Sequence, residues 1–590
     1  MNINSRIESL RKVMKEKHID AFIIPSSDNH GSEYVSEYFR VRAWISGFTG
    51  SAGTVVITLK EAHLWTDGRY FLQAADQIKE SEFVLERMGE PGVKTYTQWI
   101  VDNLSSGDTV SFNGKVLTTY ELHELEGAFK EKSINIRPEE DIFNELWNDR
   151  PTMPREKVFI HEVKYAGKTL LEKLSQVRDE LQRESVDNFL LASLDDIAWL
   201  LNLRGNDVKC NPVFLSYLLL EKESCTLYID KEKLDNKVIT YLNENGVEIK
   251  EYEDIINDLK KLRGSIVFDP SKTNVWLASS IPSGVNIKEE KAITTLLKAK
   301  KNKVELKNIE NAHVKDGVAM VKFLKWLDEN VGKEEITEIS ASDKLEAFRA
   351  EGDEFVEISF DTIAGYGEHG AIIHYKATED TNVKLQPKGL FLVDSGAQYL
   401  DGTTDITRTI ALGDLTQEEK DDYTLVLKGH LNLGNALFLE GTQGCRLDIL
   451  ARRALWNRGL DFKHGTGHGV GYFLSVHEGP QQIRKDLSSV ELEEGMVISN
   501  EPGIYRGGSH GVRIENLIAV EYRAENEFGK FMGFKEFTLC PYELRAINKE
   551  LLNSEEIKWI NDYHKKVFNT LSPYLNEDET AWLKNATKSI

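Results

Sequence analysis

Five residues in the last third of the chain are of the types that bind divalent cations: Asp394, Asp405, His468, Glu501 and Glu515. Each lies at the edge of an apolar run and close to a glycine. Four carboxylates balance the charge of two divalent ions, whereas without ions the converging carboxylates would repel one another and their pKa values would rise. The pattern therefore predicts a two-metal site, and two metal ions that share a water molecule are typical of hydrolases.

Turns and short apolar strands are expected to position these residues. Residues 390–393 have the composition of a buried strand, and residues 401–402 are a turn signal, so we expect a hairpin with Asp394 and Asp405 on one face. A two-residue turn at that point would leave the two aspartates out of register. We therefore expect a bulge near Gly396 or a longer loop.

A second apolar strand, residues 497–500, leads into Glu501. Beyond it, alternation over residues 511–515 places Arg513 and Glu515 on one face of a strand that we expect to continue into residues 517–520. A charged side chain in such an apolar strand must be paired or bound to metal.

The histidines admit a structural as well as a chemical interpretation. His464 and His468 are four residues apart, but glycines between and beside them argue against a helix and for close approach of the backbone to a site. The chain has no His-Glu-x-x-His motif, which argues against a mononuclear zinc site of the thermolysin type. Taken singly, His374 and His477 would pass as core or loop residues.

Composition limits the classes of function. The chain has 590 residues, 41% hydrophobic and 29% charged, which predicts a globular protein of three or four domains. A net charge of −23 argues against general binding to nucleic acid or anionic membranes, and we expect the lysine-rich residues 298–307 to be a solvated helix or linker. No apolar run has the length of a membrane span, the first residues have no signal-peptide pattern, and the four cysteines are scattered, so we expect a cytoplasmic protein.

The first half of the chain looks duplicated. A charged helical pattern over residues 6–18 precedes an apolar run at 19–28, and a similar helix at 168–184 precedes a similar run at 186–195. We expect two α/β domains of one design, although chance likeness of two helix–strand units is the alternative. The predicted domains are 1–153, 154–303 and 304–590.

In the third domain, Val314 to Leu327 form a helical stripe, and Ser342 is the predicted N-cap of a helix through Phe348. From about residue 541 we expect a helical extension, with a capped segment from Asn576, that serves packing or subunit contact.

The five candidate ligands, in this order and with their flanking residues, resemble those of the pita-bread metallopeptidases. Further segments are similar to the long, three-domain aminopeptidase P (Xaa-Pro aminopeptidase) members of that family: residues 44–53 and 65–71, the pair His374–Tyr375, and residues 464–471 and 477–480. The resemblance implies two creatinase-like α/β domains followed by a pita-bread catalytic domain, an α/β and α+β architecture.

The resemblance also implies roles for individual residues. Asp405 and Glu515 would bridge two metals, with Asp394 completing the shell of one ion and His468 and Glu501 that of the other. His374, His464 and His477 would line the substrate site, Tyr505 and Arg513 would form a polar network beside the metals, and Arg69 would reach the cleft from the N-terminal domain. Manganese is the implied metal, with Co²⁺ or Zn²⁺ as alternatives.

The implied activity is hydrolysis of the first peptide bond in peptides with proline at the second position, by a hydroxide that bridges two metals. Glu501 would move the proton, and His477 or His374 would assist the oxyanion. A homodimer is implied as well. The alternatives are a prolidase that cuts only X-Pro dipeptides and a non-catalytic peptide-binding protein, and the latter is disfavoured because all five ligands are present.

Overall fold

The computed structural model describes residues 1–590, which form two compact units. Unit 1 comprises Met1–His161 and Lys168–Thr294, and unit 2 comprises Glu162–Gly167 and Thr295–Ile590. The three predicted domain ranges stay predictions. No helix in the structure combines the length and the apolar character that crossing a membrane requires.

The first sheet of unit 1 has six strands: β1 Ala21–Pro25, β2 Thr54–Thr58, β3 Ala62–Thr66, β4 Phe83–Arg87, β5 Thr109–Asn113 and β6 Asn135–Glu139. Their order is β4-β3-β2-β1-β5-β6, and β1 is antiparallel to β2 and parallel to β5. Phe22 and Ile24 pack into one apolar cluster and Ala21 and Ile23 into another. Both faces of β1 are therefore covered, which explains its unbroken apolar sequence.

The second sheet of unit 1 repeats this design. The strands that follow in the chain are β7 Phe159–Ile160, β8 Asn188–Leu191, β9 Leu203–Arg204, β10 Ser216–Glu221, β11 Cys225–Ile229, β12 Glu248–Lys250, β13 Ser265–Phe268 and β14 Asn286–Glu289. The sheet order is β12-β11-β10-β8-β13-β14, with antiparallel and parallel pairs in the same places as in the first sheet, and β7 and β9 form a separate ribbon. The predicted duplication is confirmed.

Nineteen α-helices accompany the sheets. They are α1 Ile3–Glu16, α2 Val41–Ser46, α3 Phe71–Gln77, α4 Tyr96–Asn103, α5 Thr119–Phe129, α6 Phe143–Leu146, α7 Val163–Ala166, α8 Leu170–Arg183, α9 Leu194–Leu201, α10 Asn236–Glu244, α11 Ile255–Leu259, α12 Val275–Ala278, α13 Ile293–Ala299, α14 Lys303–Asn330, α15 Glu338–Ala350, α16 Gln417–Gly434, α17 Asp448–Trp456, α18 Ser554–Leu571 and α19 Glu577–Ala586. The predicted charged helices before β1 and β8 are α1 and α8.

Unit 2 contains the remaining strands: β15 Phe355–Ile358, β16 Ile363–Tyr366, β17 Leu390–Ser395, β18 Ala397–Tyr399, β19 Gly402–Thr403, β20 Ile406–Ala411, β21 Phe438–Leu439, β22 Gly467–Gly469, β23 Glu478–Ile483, β24 Val497–Asn500, β25 Gly503–Arg506, β26 His510–Arg513, β27 Asn516–Asn526 and β28 Gly529–Glu536. The largest sheet has the order β21-β28-β27-β24-β22-β23. Two three-stranded sheets, β16-β17-β20 and β15-β18-β19, and the hairpin β25-β26 complete the unit.

The helices of unit 2 correct one prediction. The predicted stripe lies on α14, where Val321, Leu324 and Leu327 are buried. The predicted N-cap Ser342 is wrong, because α15 begins four residues earlier: Thr337 caps it through the backbone N–H of Ser340. Ser342 therefore lies inside the helix.

The C-terminal helices belong to the core of unit 2. Ile560, Val567 and Leu571 of α18 and Leu583 of α19 lie in the same buried cluster as Tyr423. Asn576 caps α19 as predicted, with its side chain accepting from the N–H of Glu579. Of the two roles considered for this extension, packing is the one that these contacts serve.

Candidate metal centre

The hairpin that carries Asp394 and Asp405 has a different turn from the predicted one. Tyr399 pairs with Gly402, so the two-residue turn is Leu400–Asp401 and the pairing continues unshifted to Asp394 opposite Thr407. Asp405 therefore lies two positions from the residue that faces Asp394, and both aspartates share one face. The bulge expected near Gly396 is wrong.

Gly396 marks the point where the hairpin passes from one sheet to another. The strands β17 and β20 belong to one three-stranded sheet, and β18 and β19 belong to the other. A Cβ atom at Gly396 would lie 1.9 Å from the carbonyl oxygen of Thr404, so only glycine fits between the two strands. This close approach holds the loop before β20, and with it Asp405.

The strand expected to run continuously through Arg513 and Glu515 is interrupted. Arg513 ends β26, and β27 begins only at Asn516 in a different sheet. Glu515 lies between the two strands, and its backbone N–H donates to Thr407 O at 3.1 Å. The side chains of Arg513 and Glu515 are both buried, at 2% and 1% exposure, as we expect for charged residues in an apolar segment.

The ligand atoms of Asp405, His468 and Glu515 lie within 4.8 Å of one another. Nε2 of His468 is 3.5 Å from Asp405 Oδ2 and 3.5 Å from Glu501 Oε1. Asp394 lies opposite Thr407, whose hydroxyl donates to Glu515, so it adjoins the same group. The structure thus brings together all five predicted ligand residues at the junction of the sheets of unit 2.

Two oxygens in this cluster are buried without a hydrogen-bond partner, Asp394 Oδ1 and Glu515 Oε1. Burial raises the pKa of Asp394 and of Glu515, and nearby carboxylates raise both further. Burial likewise raises the pKa of Glu501 to about 7. Unpaired buried carboxylate oxygens are costly, and divalent cations would remove that cost, so the residues present fit a pair of metal ions.

The ring of His468 is oriented for metal binding. Its Nδ1 lies 2.9 Å from its neighbour's carbonyl, Gly469 O, which assigns the proton to Nδ1 and leaves Nε2 facing the carboxylates. Burial lowers the pKa of His468, but Asp405 and Glu501 outweigh it and raise that pKa to about 9. His468 lies on β22, a strand, which agrees with the expectation that this segment is not a helix.

A polar chain extends from the cluster through Arg513. The guanidinium donates to Asp394 Oδ2 at 2.6 Å and to Tyr505 Oη at 2.7 Å. Tyr505 Oη lies 2.8 Å from His464 Nε2, and His464 Nδ1 lies 2.7 Å from Gly465 O. Burial raises the pKa of Tyr505 to about 12, so its hydroxyl stays protonated and orients the histidine.

His477 and His374 lie on loops beside the cluster. The ring of His477 packs edge-on against His468 with the centroids 4.4 Å apart. The carbonyl of Ile373, the residue before His374, accepts a hydrogen bond from Arg513 Nη2 at 3.4 Å. Arg69 belongs to unit 1, where it forms a two-pronged ion pair with Asp67 at 2.8 Å for each bond.

The structure adds supporting residues that sequence reasoning missed. Thr407 donates to Glu515 Oε2 at 2.8 Å and lies 3.2 Å from Arg513 Nε. Arg452, with no exposed side-chain surface, donates to Asp448 and to the carbonyl of His464 at 2.9 Å. Thr407 could have been found from its position two residues after Asp405 on the same strand face, whereas Arg452 had no local signal.

The lysine-rich segment also departs from expectation. Lys298 and Lys301 are buried rather than solvated, and both donate to the buried carboxylate of Glu478, the residue after His477. The expectation of a solvated segment is therefore wrong at these two positions. Nothing in the local sequence distinguishes a lysine that meets a distant glutamate from one that meets water.

Comparison with known families agrees with this architecture. Residues 6–146 and 149–305 each match the creatinase/prolidase N-terminal domain, and residues 307–522 match metallopeptidase family M24. Residues 530–590 match the C-terminal region of the M24 peptidases. The fold expected from the sequence, two creatinase-like domains before a pita-bread domain, is confirmed.

Individual relatives match over the whole chain. A probable Xaa-Pro aminopeptidase P from Neurospora crassa is 41% identical over 100% of this chain and 89% of its own length. Xaa-Pro aminopeptidase 1 from Dictyostelium discoideum is 41% identical over 100% of this chain and 97% of its own.

Solved structures agree as well. The X-prolyl aminopeptidase of Caenorhabditis elegans, described as a cytosolic enzyme with a di-nuclear active site, superposes with a TM-score of 0.95 and 36% identity over 100% of both chains. A Xaa-Pro dipeptidase from Bacillus anthracis covers 64% of this chain and 99% of its own, with a TM-score of 0.52 and 25% identity. The chain therefore belongs to metallopeptidase family M24, within its long Xaa-Pro aminopeptidase group.

Proposed function

We propose that this protein is a metal-dependent Xaa-Pro aminopeptidase that hydrolyses the first peptide bond of peptides with proline at the second position. The observation that carries the proposal is the buried cluster of Asp394, Asp405, His468, Glu501 and Glu515 in a chain whose whole length matches Xaa-Pro aminopeptidases. Bound at this cluster, two divalent ions would lower the pKa of water to roughly 7 and polarise the scissile carbonyl.

Asp405 and Glu515 are the proposed bridging ligands, with Asp394 beside one ion and His468 and Glu501 beside the other. Three carboxylates are backed by donors of this chain: Arg513 on Asp394, Thr407 on Glu515 and Ser499 on Glu501. On Asp394 and Glu515 the donor occupies one oxygen and leaves the other buried without a partner, which orients these two ligands before metal arrives. Mostly oxygen donors with one imidazole favour Mn²⁺, with Co²⁺ or Zn²⁺ as alternatives.

Glu501 is the proposed group that accepts a proton from the attacking water and returns it to the leaving nitrogen. Its support is its place in the cluster, where Glu501 Oε1 lies 3.5 Å from His468 Nε2 and the side chain can reach a water molecule held there. An X–Pro bond is a tertiary amide without N–H, so the leaving nitrogen offers no donor to the enzyme. We therefore assign recognition of the proline ring to shape and to the histidines 374, 464 and 477.

His477 is the proposed donor to the carbonyl oxygen as negative charge develops there. The support is its position against the ring of His468 and its place outside the five-ligand set. Tyr505 and Arg513 are proposed to orient His464 and Asp394, and the substrate role that the resemblance implies for Arg69 stays a prediction.

The decisive assay compares Arg-Pro-Pro with the dipeptide Arg-Pro. Release of arginine from the tripeptide supports an aminopeptidase, whereas cleavage of the dipeptide alone would identify a prolidase. Asp405→Asn removes a proposed bridging charge and should abolish release. Asp401→Asn is the matched control, since Asp401 is a buried carboxylate of the same hairpin but lies outside the five ligands. It accepts a hydrogen bond from Lys315 at 2.7 Å. If both variants lose activity equally, the hairpin and not the ligand is responsible.

We further propose a cytoplasmic homodimer that assembles through unit 2. Large apolar side chains exposed on or beside neighbouring strands of its largest sheet support a subunit contact: Leu437, Leu439, Tyr522 and Phe528. Sedimentation at micromolar concentration is expected to give the dimer mass. A monomer in that measurement would contradict the proposal.

A further inference from the structure

The segment between β16 and β17 contains His374, and it is tied to a buried carboxylate on another element. Glu338 is the first residue of α15, and its side chain has no exposed surface. It takes no part in the metal cluster, and sequence reasoning did not single it out. A buried carboxylate that binds no metal is costly unless hydrogen-bond donors satisfy it, so the donors around Glu338 indicate its role.

The donors to Glu338 come from this segment and from Tyr366, the last residue of β16. Oε1 accepts from the backbone N–H of Tyr366 at 2.8 Å and lies 2.9 Å from His369 Nδ1. Oε2 accepts from Tyr375 Oη at 2.9 Å and from the N–H of Val383 at 3.2 Å. The ring of His369 stacks on Tyr375 with the centroids 4.4 Å apart. One carboxylate thus binds residues at four positions between Tyr366 and Val383 and holds them together.

The opposite side of the segment is held by residues of the candidate metal centre. Arg513 donates to Ile373 O, and Gly370 packs so closely on Gly511 that a Cβ at Gly511 would lie 1.7 Å from Gly370 O. His374 therefore lies between Ile373, bonded to Arg513, and Tyr375, bonded to Glu338. Its backbone position is fixed from both sides.

We propose that Glu338 is a positioning residue that holds His374 in place for substrate. This inference rests on the proposed function, because it requires that His374 contacts the peptide. The carboxylate acts through Tyr375 and the two backbone N–H groups, and it does not touch substrate itself. A displacement of about 1 Å at a reacting group lowers a rate by about 10²-fold, so loss of this anchor should be visible in kinetics.

A purely structural role for Glu338 is the competing interpretation, and kinetics can separate the two. Glu338→Gln keeps the shape of the side chain, but its amide presents hydrogens to donors that need an acceptor. We expect kcat/KM on Arg-Pro-Pro to fall about 10²-fold, with manganese content unchanged. Glu335→Gln is the matched control, since it removes an exposed carboxylate that pairs with Lys384 just before the same helix.

The closing experiment is a double-mutant cycle with His374→Ala, each kcat/KM being measured per folded, metal-loaded molecule. If Glu338 acts through His374, Glu338→Gln should cost about 10²-fold alone but little in the His374→Ala background. Fully additive losses would overturn the proposal. If Glu338→Gln does not fold, Tyr375→Phe, which removes one hydroxyl donor to Glu338, takes its place in the cycle. Its loss of kcat/KM must then also be smaller in the His374→Ala background than alone.

The outcomes also separate this inference from the proposed function. If His374→Ala leaves kcat/KM unchanged, the substrate role of His374 is wrong and the inference falls with it. If His374→Ala is impaired and Glu338→Gln is not, only the positioning role is overturned.

Discussion

Arg513 donates to one oxygen of Asp394 at 2.6 Å, while the other oxygen of that carboxylate is buried without a partner. The arginine neutralises part of the negative charge and holds the free oxygen toward the other carboxylates. The same guanidinium donates to Tyr505 and to Ile373 O, so it links one proposed metal ligand to the histidines beside it. A planar group with several donors suits this task, and a lysine does not.

Arg513→Lys should therefore weaken metal binding. Because one ammonium cannot reach Asp394, Tyr505 and Ile373 O together, we expect manganese affinity to fall by about 10–100-fold. Isothermal titration of metal-free protein measures this directly. Arg506→Lys is the control, since Arg506 lies on the same hairpin and pairs with Asp422 instead. An affinity equal to that of the wild type would show that Asp394 does not depend on the arginine.

Glu501→Gln should lower kcat by several orders of magnitude, because both a charged ligand and the proton carrier are lost. Metal content measured on the same sample separates the two contributions. Glu494→Gln, a change at an exposed carboxylate shortly before β24, should leave kcat as it is. A variant at Glu501 with full metal content and near-native kcat would remove this residue from the proton-transfer role.

His477→Ala should reduce kcat by about 10²–10³-fold if the ring donates to the developing oxyanion. Metal content is expected to stay unchanged, because His477 lies outside the five ligands. Should the ring only pack against His468, the variant would instead have a lower melting temperature and a normal kcat/KM per folded molecule.

Chelation should abolish hydrolysis, and Mn²⁺ should restore it better than Co²⁺ or Zn²⁺, because most of the ligand atoms are carboxylate oxygens. The melting temperature provides a second readout, since metal that binds only the folded state stabilises it. Full activity in protein stripped of metal would end the metal-dependent mechanism.

The pair of Glu338 and His369 should make stability depend on pH. The hydrogen bond and the charge of Glu338 raise the pKa of His369 despite partial burial, and Glu368 adds to the effect. Because the folded pKa is raised, the stabilisation is fully present below about pH 6.5, the pKa of the unfolded residue, and is lost as pH rises through the folded value. The melting temperatures of wild type and His369→Gln should differ more at pH 6 than at pH 9. An equal difference at both pH values would contradict the pairing.

Much of this protein could be predicted from local sequence. Asp394, Asp405, His468, Glu501 and Glu515 were recognisable because metal ligands must be specific residue types beside turns and apolar strands. The duplicated sheets were predictable since β1 and β8 are buried on both faces, which favours apolar residues at nearly every position. Glycines around His468 argued against a helix, because glycine loses more conformational entropy in a helix than any other residue.

Positions along the chain were less predictable than residue types. The turn of the hairpin lies one residue earlier than its Asp-Gly signal indicated, because close packing at Gly396 and the pairing of Tyr399 with Gly402 override local turn preference. The helix expected from Ser342 begins at Glu338, since Thr337 and Ser340 form the actual cap.

Which buried charges meet depends on the folded chain and not on local sequence. Lys301 and Glu478 are 177 positions apart in the chain, and Glu338 and Tyr375 are 37 positions apart, yet each pair is bonded in the fold. A charge is neutralised by whatever approaches it in space, so its partner leaves no local pattern. Residue types and their local spacing were enough to predict the metal ligands, whereas three-dimensional packing sets how each of them and each histidine is held.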